Sequence, residues 1–432
     1  MTAISIPSAK LSAFFAELKD YVVLRNHDVV AHLVSGGDID ILVADLASSE
    51  KRLFDHFGTP VWLAVRAYGN SYYYRWGHID FVTRLEWRGA AYLHRQAVIA
   101  EASDSSYGLR QPCLVHEAVI SWLTSVLWGG FFKEKYRVVI LRAVQEDAVR
   151  MRQVLCDAFG RVTSDWLMTV AEQGQPELAA TRVWPLRMQL WWMALRREPR
   201  QSLQRHLEFW RCEVSLRTTA LIPWVAVLGP DGSGKTSLIQ RLQEKLAGIF
   251  TGVERGHWRP GMIWSRAITQ DQIGAPQQQV SRGLVASVCK LGLFVTDWWL
   301  WYFLRWIRLR AKGRLVIFDR CYLDILVDPV RYRYGGPYAL LQWVSRILPQ
   351  PDAVFLLDVD ADVIVQRKAE LTRVELQRQL AAYQSLKEKT VANIATIDAA
   401  RDIATVADEV MERVLSLSEN KTAQRLRDQR GY

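Results

Sequence analysis

Residues Val225-Ala-Val-Leu-Gly-Pro-Asp-Gly-Ser-Gly-Lys-Thr236 decide the fold of the C-terminal half. The spacing Gly229-x-x-x-x-Gly234-Lys235-Thr236 follows an apolar run and precedes SLIQRLQEKL, a helix-forming stretch. Strand, glycine-rich turn and helix in that order aim backbone N–H groups and the positive end of a helix dipole at one point. Gly229, Gly232 and Gly234 allow the backbone to close on phosphate oxygens without Cβ clashes. Pro230, Asp231, Ser233 and Ser237 complete the loop. Lys235 reaches β- and γ-phosphates, and the Thr236 hydroxyl can ligate Mg²⁺. Residues 229–237 read as a nucleoside triphosphate site, with ATP and Mg²⁺ as the expected cofactors.

Outward from this loop, short apolar runs at 224–228, 315–318, 354–357 and 394–397 are separated by helix-length stretches. That alternation predicts an α/β class, with a parallel sheet and flanking helices over 220–417. The tail 418–432 is polar and is expected to fray. Upstream, 113–219 reads as a helical connector rich in Trp and Arg, punctuated by Pro185 and Pro199. Residues 1–112 read as a mixed α/β domain.

The loop Leu228-Gly-Pro-Asp-Gly-Ser-Gly-Lys-Thr236 resembles that of thymidylate kinases and their relatives, in which Asp231 and the following Gly are characteristic. Ile317-Phe-Asp-Arg-Cys-Tyr322 is similar to the family's strand ending in Asp-Arg. The resemblance implies Asp319 beside Mg²⁺ and Arg320 on the transferred phosphates. Phe355-Leu-Leu-Asp-Val359 resembles the strand before its lid. Gln366-Arg-Lys-Ala-Glu370, with Arg373 and then Tyr383, resembles the lid itself, which implies Arg367 and Arg373 as lid cations. His257-Trp-Arg-Pro-Gly261 is similar to the family's Arg-Glu-Pro-Gly stretch and implies that Arg259 grips the acceptor. The likeness covers about 221–417 and implies a P-loop kinase.

The departures fall on the acceptor side. Thymidylate kinases follow Asp-Arg with an aromatic, a Ser and an Ala-Tyr-Gln cluster that contacts the thymine nucleotide; this chain has CYLDILVDPVRYRYGGP. Phosphoryl transfer is expected to be kept and the thymidylate pocket rewritten. This variant also resembles thymidylate-kinase-like proteins of bacterial polysaccharide gene clusters, which implies a sugar or glycan acceptor beside the family's nucleoside monophosphate. A phosphate acceptor needs no base, whereas a hydroxyl needs a carboxylate. Asp231, Asp319, Asp324 and Asp328 are available, and Asp324, within the rewritten segment, is read as facing the acceptor. A helix-start cap or an ion pair with Arg331 or Arg333 is its alternative. A nucleotide-regulated scaffold protein of polysaccharide synthesis is the rival to a kinase.

Gly36-Gly-Asp-Ile-Asp-Ile-Leu-Val43 puts Asp38 and Asp40 on one face of a strand. Adjacent carboxylates repel unless a cation lies between them, which suggests Mg²⁺. Asp80, in Gly77-His-Ile-Asp-Phe-Val82, is a third. The set resembles the metal triad of nucleotidyltransferases related to polymerase β. That family's preceding Gly-Ser is absent, since 23–27 reads Val-Leu-Arg-Asn-His. Nucleotidyl transfer, a degenerate domain that binds a sugar, nucleotide or glycan, and a turn with capping aspartates all remain open.

Composition narrows the partners. Net charge is +10, and Arg outnumbers Lys about three to one, which favours phosphorylated ligands. No recognition motif or basic low-complexity arm accompanies the charge, so nucleic acid is not expected. Five scattered cysteines and no C-x-x-C pair point to a reducing, cytoplasmic compartment. The first 21 residues do not read as a secretory signal. Leu284 to Leu304 is apolar but interrupted by Lys290 and Asp297; it is read as a helix buried in protein, with a peripheral membrane contact as the alternative. A homodimer is also left open.

Overall fold

The structure, a computed structural model, describes residues 8–25, 38–106, 108–263, 282–367 and 373–430. The chain divides into two compact units, Thr2–Leu216 and Arg217–Tyr432.

In the first unit, β1 (Tyr21–Val23), β2 (Asp38–Val43), β3 (Trp62–Arg66), β4 (Gly69–Tyr74) and β5 (Gly77–Val82) form one mixed sheet in the order β1-β2-β5-β4-β3. β2 runs parallel to β5, with Asp38 opposite His78 and Asp40 opposite Asp80; the other pairs are antiparallel. Ile39 and Ile41 take the other face and are fully buried. Two hairpin-like ladders follow, β6 (Leu85–Trp87) with β7 (Ala90–Leu93), and β8 (Ser103–Asp104) with β9 (Arg110–Gln111).

The helices of 113–219 do not form a separate connector. Helix Leu114–Thr124 is apolar nearly all round, so it needs cover on every side. It shares one core with Val22, Leu42 and Trp87 of the strands and with Ile140, Leu155 and Leu190 of the later helices. Buried Trp122 donates its indole N–H to the Pro176 carbonyl at 3.0 Å. The expected boundary near residue 112 is therefore replaced by one at 216–217.

The second unit holds β10 (Trp224–Leu228), β11 (Gly252–His257), β12 (Arg314–Asp319), β13 (Ala353–Asp358) and β14 (Ile394–Asp398), all parallel, in the order β11-β12-β10-β13-β14. β10 is buried along its whole length, as a strand covered by helices on both faces must be. From β10 the chain goes first to the β11–β12 side and then to the β13–β14 side. The carboxyl end of β10 is thus a topological switch point, where such sheets take ligands.

Two readings of the sequence need correction here. The tail does not fray: helix Ile403–Arg430 continues through it, with Ser418 and Thr422 fully buried. These residues lie four apart on one face, and Ser418 Oγ donates to the Leu221 carbonyl at 3.1 Å. Lys421 adds an ion pair with Asp352. Helix Leu284–Trp301 is buried on one face only. Trp298 and Trp301 pack on Trp224 and Phe318, while Leu284, Val285, Leu293 and Leu300 are exposed. Asp297 is not a bar to burial, because its two oxygens accept the Gly261 and Ile263 backbone N–H groups at 2.8 Å each.

Candidate active site

The loop after β10 turns sharply into helix Lys235–Leu246. Gly229, Gly232 and Gly234 have φ of 149°, 89° and 91°. A Cβ on Gly229 would stand 2.8 Å from Ser233 Oγ, so only glycine fits there. Gly234 caps the helix in a left-handed conformation. Asp231 to Ser237 line a cavity of about 880 Å³, opposite His257, Asp319, Arg320 and Arg331. The Lys235 ammonium is buried and donates to the Gly229 and Pro230 carbonyls at 2.9 and 2.7 Å. Burial, and then the Arg320 charge, bring its pKa down to about 7 against the pull of Asp231, Asp324 and Asp319.

Thr236 and Asp319 converge. Arg255 of β11 donates from Nη2 to Asp319 Oδ2 at 2.6 Å and meets Thr236 Oγ1 at 3.5 Å. A hydroxyl and a carboxylate facing one point form an all-oxygen donor set, which suits Mg²⁺. Both residues therefore fit the expected metal. Arg255 itself was missed by sequence reading.

Arg320 directly follows β12 in a left-handed conformation, φ 68°, rare for a residue with a Cβ. Its guanidinium is buried and committed. Nη1 donates to both Asp324 oxygens at 2.8 Å and to the Tyr383 hydroxyl at 3.1 Å, and Nη2 donates to Asp231. Asp231 also accepts from Arg331 at 2.6 Å, and the two arginines and Lys235 hold its carboxyl well below the usual range despite burial.

Asp324 is the main correction. It is 1% exposed and also accepts the Tyr332 and Tyr383 hydroxyls. Burial alone would raise its pKa; Arg320 and the two tyrosines outweigh that and lower it. With both oxygens engaged inside the protein, it has no capacity to take a proton from an acceptor. The ion pair forms with Arg320 rather than with Arg331 or Arg333. Asp328 is buried too, accepting from Gln379 at 3.1 Å and from the Arg331 backbone at 3.2 Å.

The residues expected to form a lid fall only partly within the described residues. Arg373 is exposed and paired with Asp362 at 2.9 Å, away from the cavity lining. The Arg367 side chain and residues 368–372 lie outside the described residues. Arg259 does not line the cavity either. It belongs to a cationic group with Arg282, Lys290 and Arg333: burial, then these three arginines, lower the Lys290 pKa to about 8. Beside them Trp258 packs on Tyr332 and Phe294, with ring centroids 4.4 and 5.2 Å away. The only sequence signal for Arg331 and Arg333 was the Arg-Tyr-Arg-Tyr run at 331–334.

In the first unit the expected Asp38, Asp40, Asp80 set is redrawn. Arg25 takes Asp40, with Nε at 3.0 Å from Oδ2, and also donates to the Tyr136 hydroxyl. Beside this pair, ligand atoms of Asp38, His78 and Asp80 come within 4.8 Å of one another, as do those of Glu101, Cys113 and His116 elsewhere in the unit. Burial, then the Asp40 charge, push the Asp80 carboxyl up to about 7.

The chain is similar to a probable thymidylate kinase of Pyrobaculum aerophilum, 23% identical over 198 residues, covering 44% of this chain and 95% of the relative. The likeness falls on the C-terminal part and supports a kinase-like relationship there. No protein-family model matches the chain.

Proposed function

We propose that Arg217–Tyr432 transfers the γ-phosphate of ATP, with Mg²⁺, to a small acceptor that already carries a phosphate, a nucleoside monophosphate being the nearest class. The phosphate loop, the convergence of Thr236 and Asp319 and the similarity to a probable thymidylate kinase support a nucleotide kinase. Mg²⁺ would supply charge neutralisation across the β- and γ-phosphates, held by Thr236 and Asp319.

The observation that carries the acceptor class is the sealing of Asp324. With that carboxylate consumed by Arg320, Tyr332 and Tyr383, the approach to the loop offers cations instead. Arg331 reaches the cavity, and Arg259, Arg282, Lys290 and Arg333 cluster beside the Trp258 and Tyr332 rings. Such a surface attracts an anion and needs no base, because a phosphate acceptor is already a nucleophile. A neutral sugar hydroxyl would need a free carboxylate.

Purified protein, labelled ATP and Mg²⁺, offered nucleoside monophosphates, sugar phosphates and free sugars in turn, tests this. Transfer to a phosphorylated compound is expected. Transfer to free sugars alone would overturn the acceptor class, and transfer to none would favour the scaffold reading. For the first unit a second reading rests on Asp38, His78 and Asp80, whose mixed oxygen and nitrogen atoms suit a divalent cation. Mn²⁺ titration with and without Asp38→Asn checks it.

A further inference from the structure

The mixed sheet of the first unit carries a cavity of about 330 Å³ that phosphoryl transfer does not use. Strands β4 and β5, the segment 84–86 and Trp128 contribute to its wall. Its polar groups hold unused bonding capacity. Glu86 lines it, is 2% exposed, and neither carboxylate oxygen has a hydrogen-bond partner. Arg84 is near, but at 3.8 Å its Nε is beyond hydrogen-bonding distance. Asp80 Oδ1 is also out of solvent and unpartnered. Arg66, also in the lining, makes only a long hydrogen bond, 3.5 Å to the Tyr68 hydroxyl. Tyr68 and Trp128, both in the lining, pack on each other with ring centroids 4.8 Å apart.

Buried carboxylates without donors are rare in native proteins and call for an explanation. A simple anion would meet Glu86 and Asp80, and a simple cation would meet Arg66, Arg84 and Arg25, which line the same space. A hydroxyl escapes both penalties, since it donates to a carboxylate and accepts from a guanidinium without net charge. Several hydroxyls on a ring with an apolar face would engage Glu86, Asp80 and Arg66 together while packing on Tyr68 and Trp128.

We propose that this cavity binds a small polyhydroxylated ring, either a free sugar or the sugar of a nucleoside, with Glu86 and Asp80 accepting from its hydroxyls and Arg66 donating to them. The site lies wholly within Thr2–Leu216 and stands or falls independently of the kinase reading.

The test is saturation-transfer NMR on the full chain, with D-glucose, D-ribose, adenosine and thymidine as separate probes. Transfer to the sugar protons of at least one probe is expected. Affinity for that probe should fall about ten-fold or more in Glu86→Gln and in Tyr68→Leu, each checked for folding by circular dichroism. A response to free sugars identifies that source, and a response to nucleosides alone identifies the other. Transfer from no probe, or transfer undiminished in whichever variants fold, overturns the site. Mn²⁺ binding that Glu86→Gln abolishes would assign the cavity to a cation and overturn it as well.

Discussion

Arg320 donates from one nitrogen to both carboxylate oxygens of Asp324, 2.8 Å to each, four residues along the chain and out of solvent. The pair fixes the guanidinium so that its other end meets Asp231 of the phosphate loop. Asp324 therefore acts through Arg320 and positions it. Asp324→Asn removes one of the two carboxylates that offset the buried Arg320 charge and leaves only Asp231, which is expected to cost up to about 3–5 kcal/mol of stability. Turnover should fall because Arg320 shifts, and the pH profile of kcat should keep its shape. Urea unfolding and pH–rate profiles check this; loss of the acid-side limb from the profile would return Asp324 to the role of general base.

Lys235→Ala should lower phosphoryl transfer by about 10²–10³-fold or more, since it removes a cation aimed at the transferred group. The Lys235 ammonium is buried, donates to two loop carbonyls at 2.9 and 2.7 Å and lies 3.9 Å from Asp231, all within the loop. Circular dichroism should be unchanged. Wild-type turnover in this variant would remove the kinase assignment.

Arg255 contacts Asp319 and Thr236, the two residues proposed to hold Mg²⁺. Replacing it by Gln removes a competing cation, so Mn²⁺ used as a probe for Mg²⁺ should bind more tightly without nucleotide. Asp319→Asn should weaken the same binding. Electron paramagnetic resonance titration reads both, and equal affinities in all three proteins would show that the metal does not use this pair.

Glu86 yields a pH dependence. Burial raises its pKa above the ordinary 4.5; Arg84 and Arg205 oppose the rise, and Glu208 adds to it. From 4.5 up to the raised value, the folded chain binds the proton more than the unfolded chain does. Stability must therefore fall as pH rises through that window. Glu86→Gln removes the effect, so its stability relative to wild type should improve as pH rises from 4.5 to 7. Thermal melts between pH 4.5 and 8 measure it.

Much of the second unit was legible in the residues, because its chemistry is local. A glycine-rich loop needs a strand before it and a helix after it, and all three are contiguous from Trp224 to Leu246. The apolar runs that became β12 and β13 were visible because central parallel strands are apolar along their length. By contrast β14, at the sheet edge and only partly buried, showed as the short apolar run 394–397. Gly252–His257, an edge strand with Glu254, Arg255 and His257, carries no such signal, and Arg255 was missed with it.

Partnership was decided only by tertiary structure. Spacing placed Asp38 and Asp40 on one face, but only the fold brought Arg25 to Asp40 and His78 beside Asp38 and Asp80. Spacing made Asp324 a free carboxylate near the acceptor, yet Tyr332 and Tyr383, the latter 59 residues away, close over it. The polar tail became a helix anchored on one face, because Ser418 and Thr422 are buried and Ser418 bonds to the Leu221 carbonyl ahead of β10. A backbone turn is specified by the few residues that make it, whereas the charge state and reach of a side chain depend on whatever distant groups the fold packs around it.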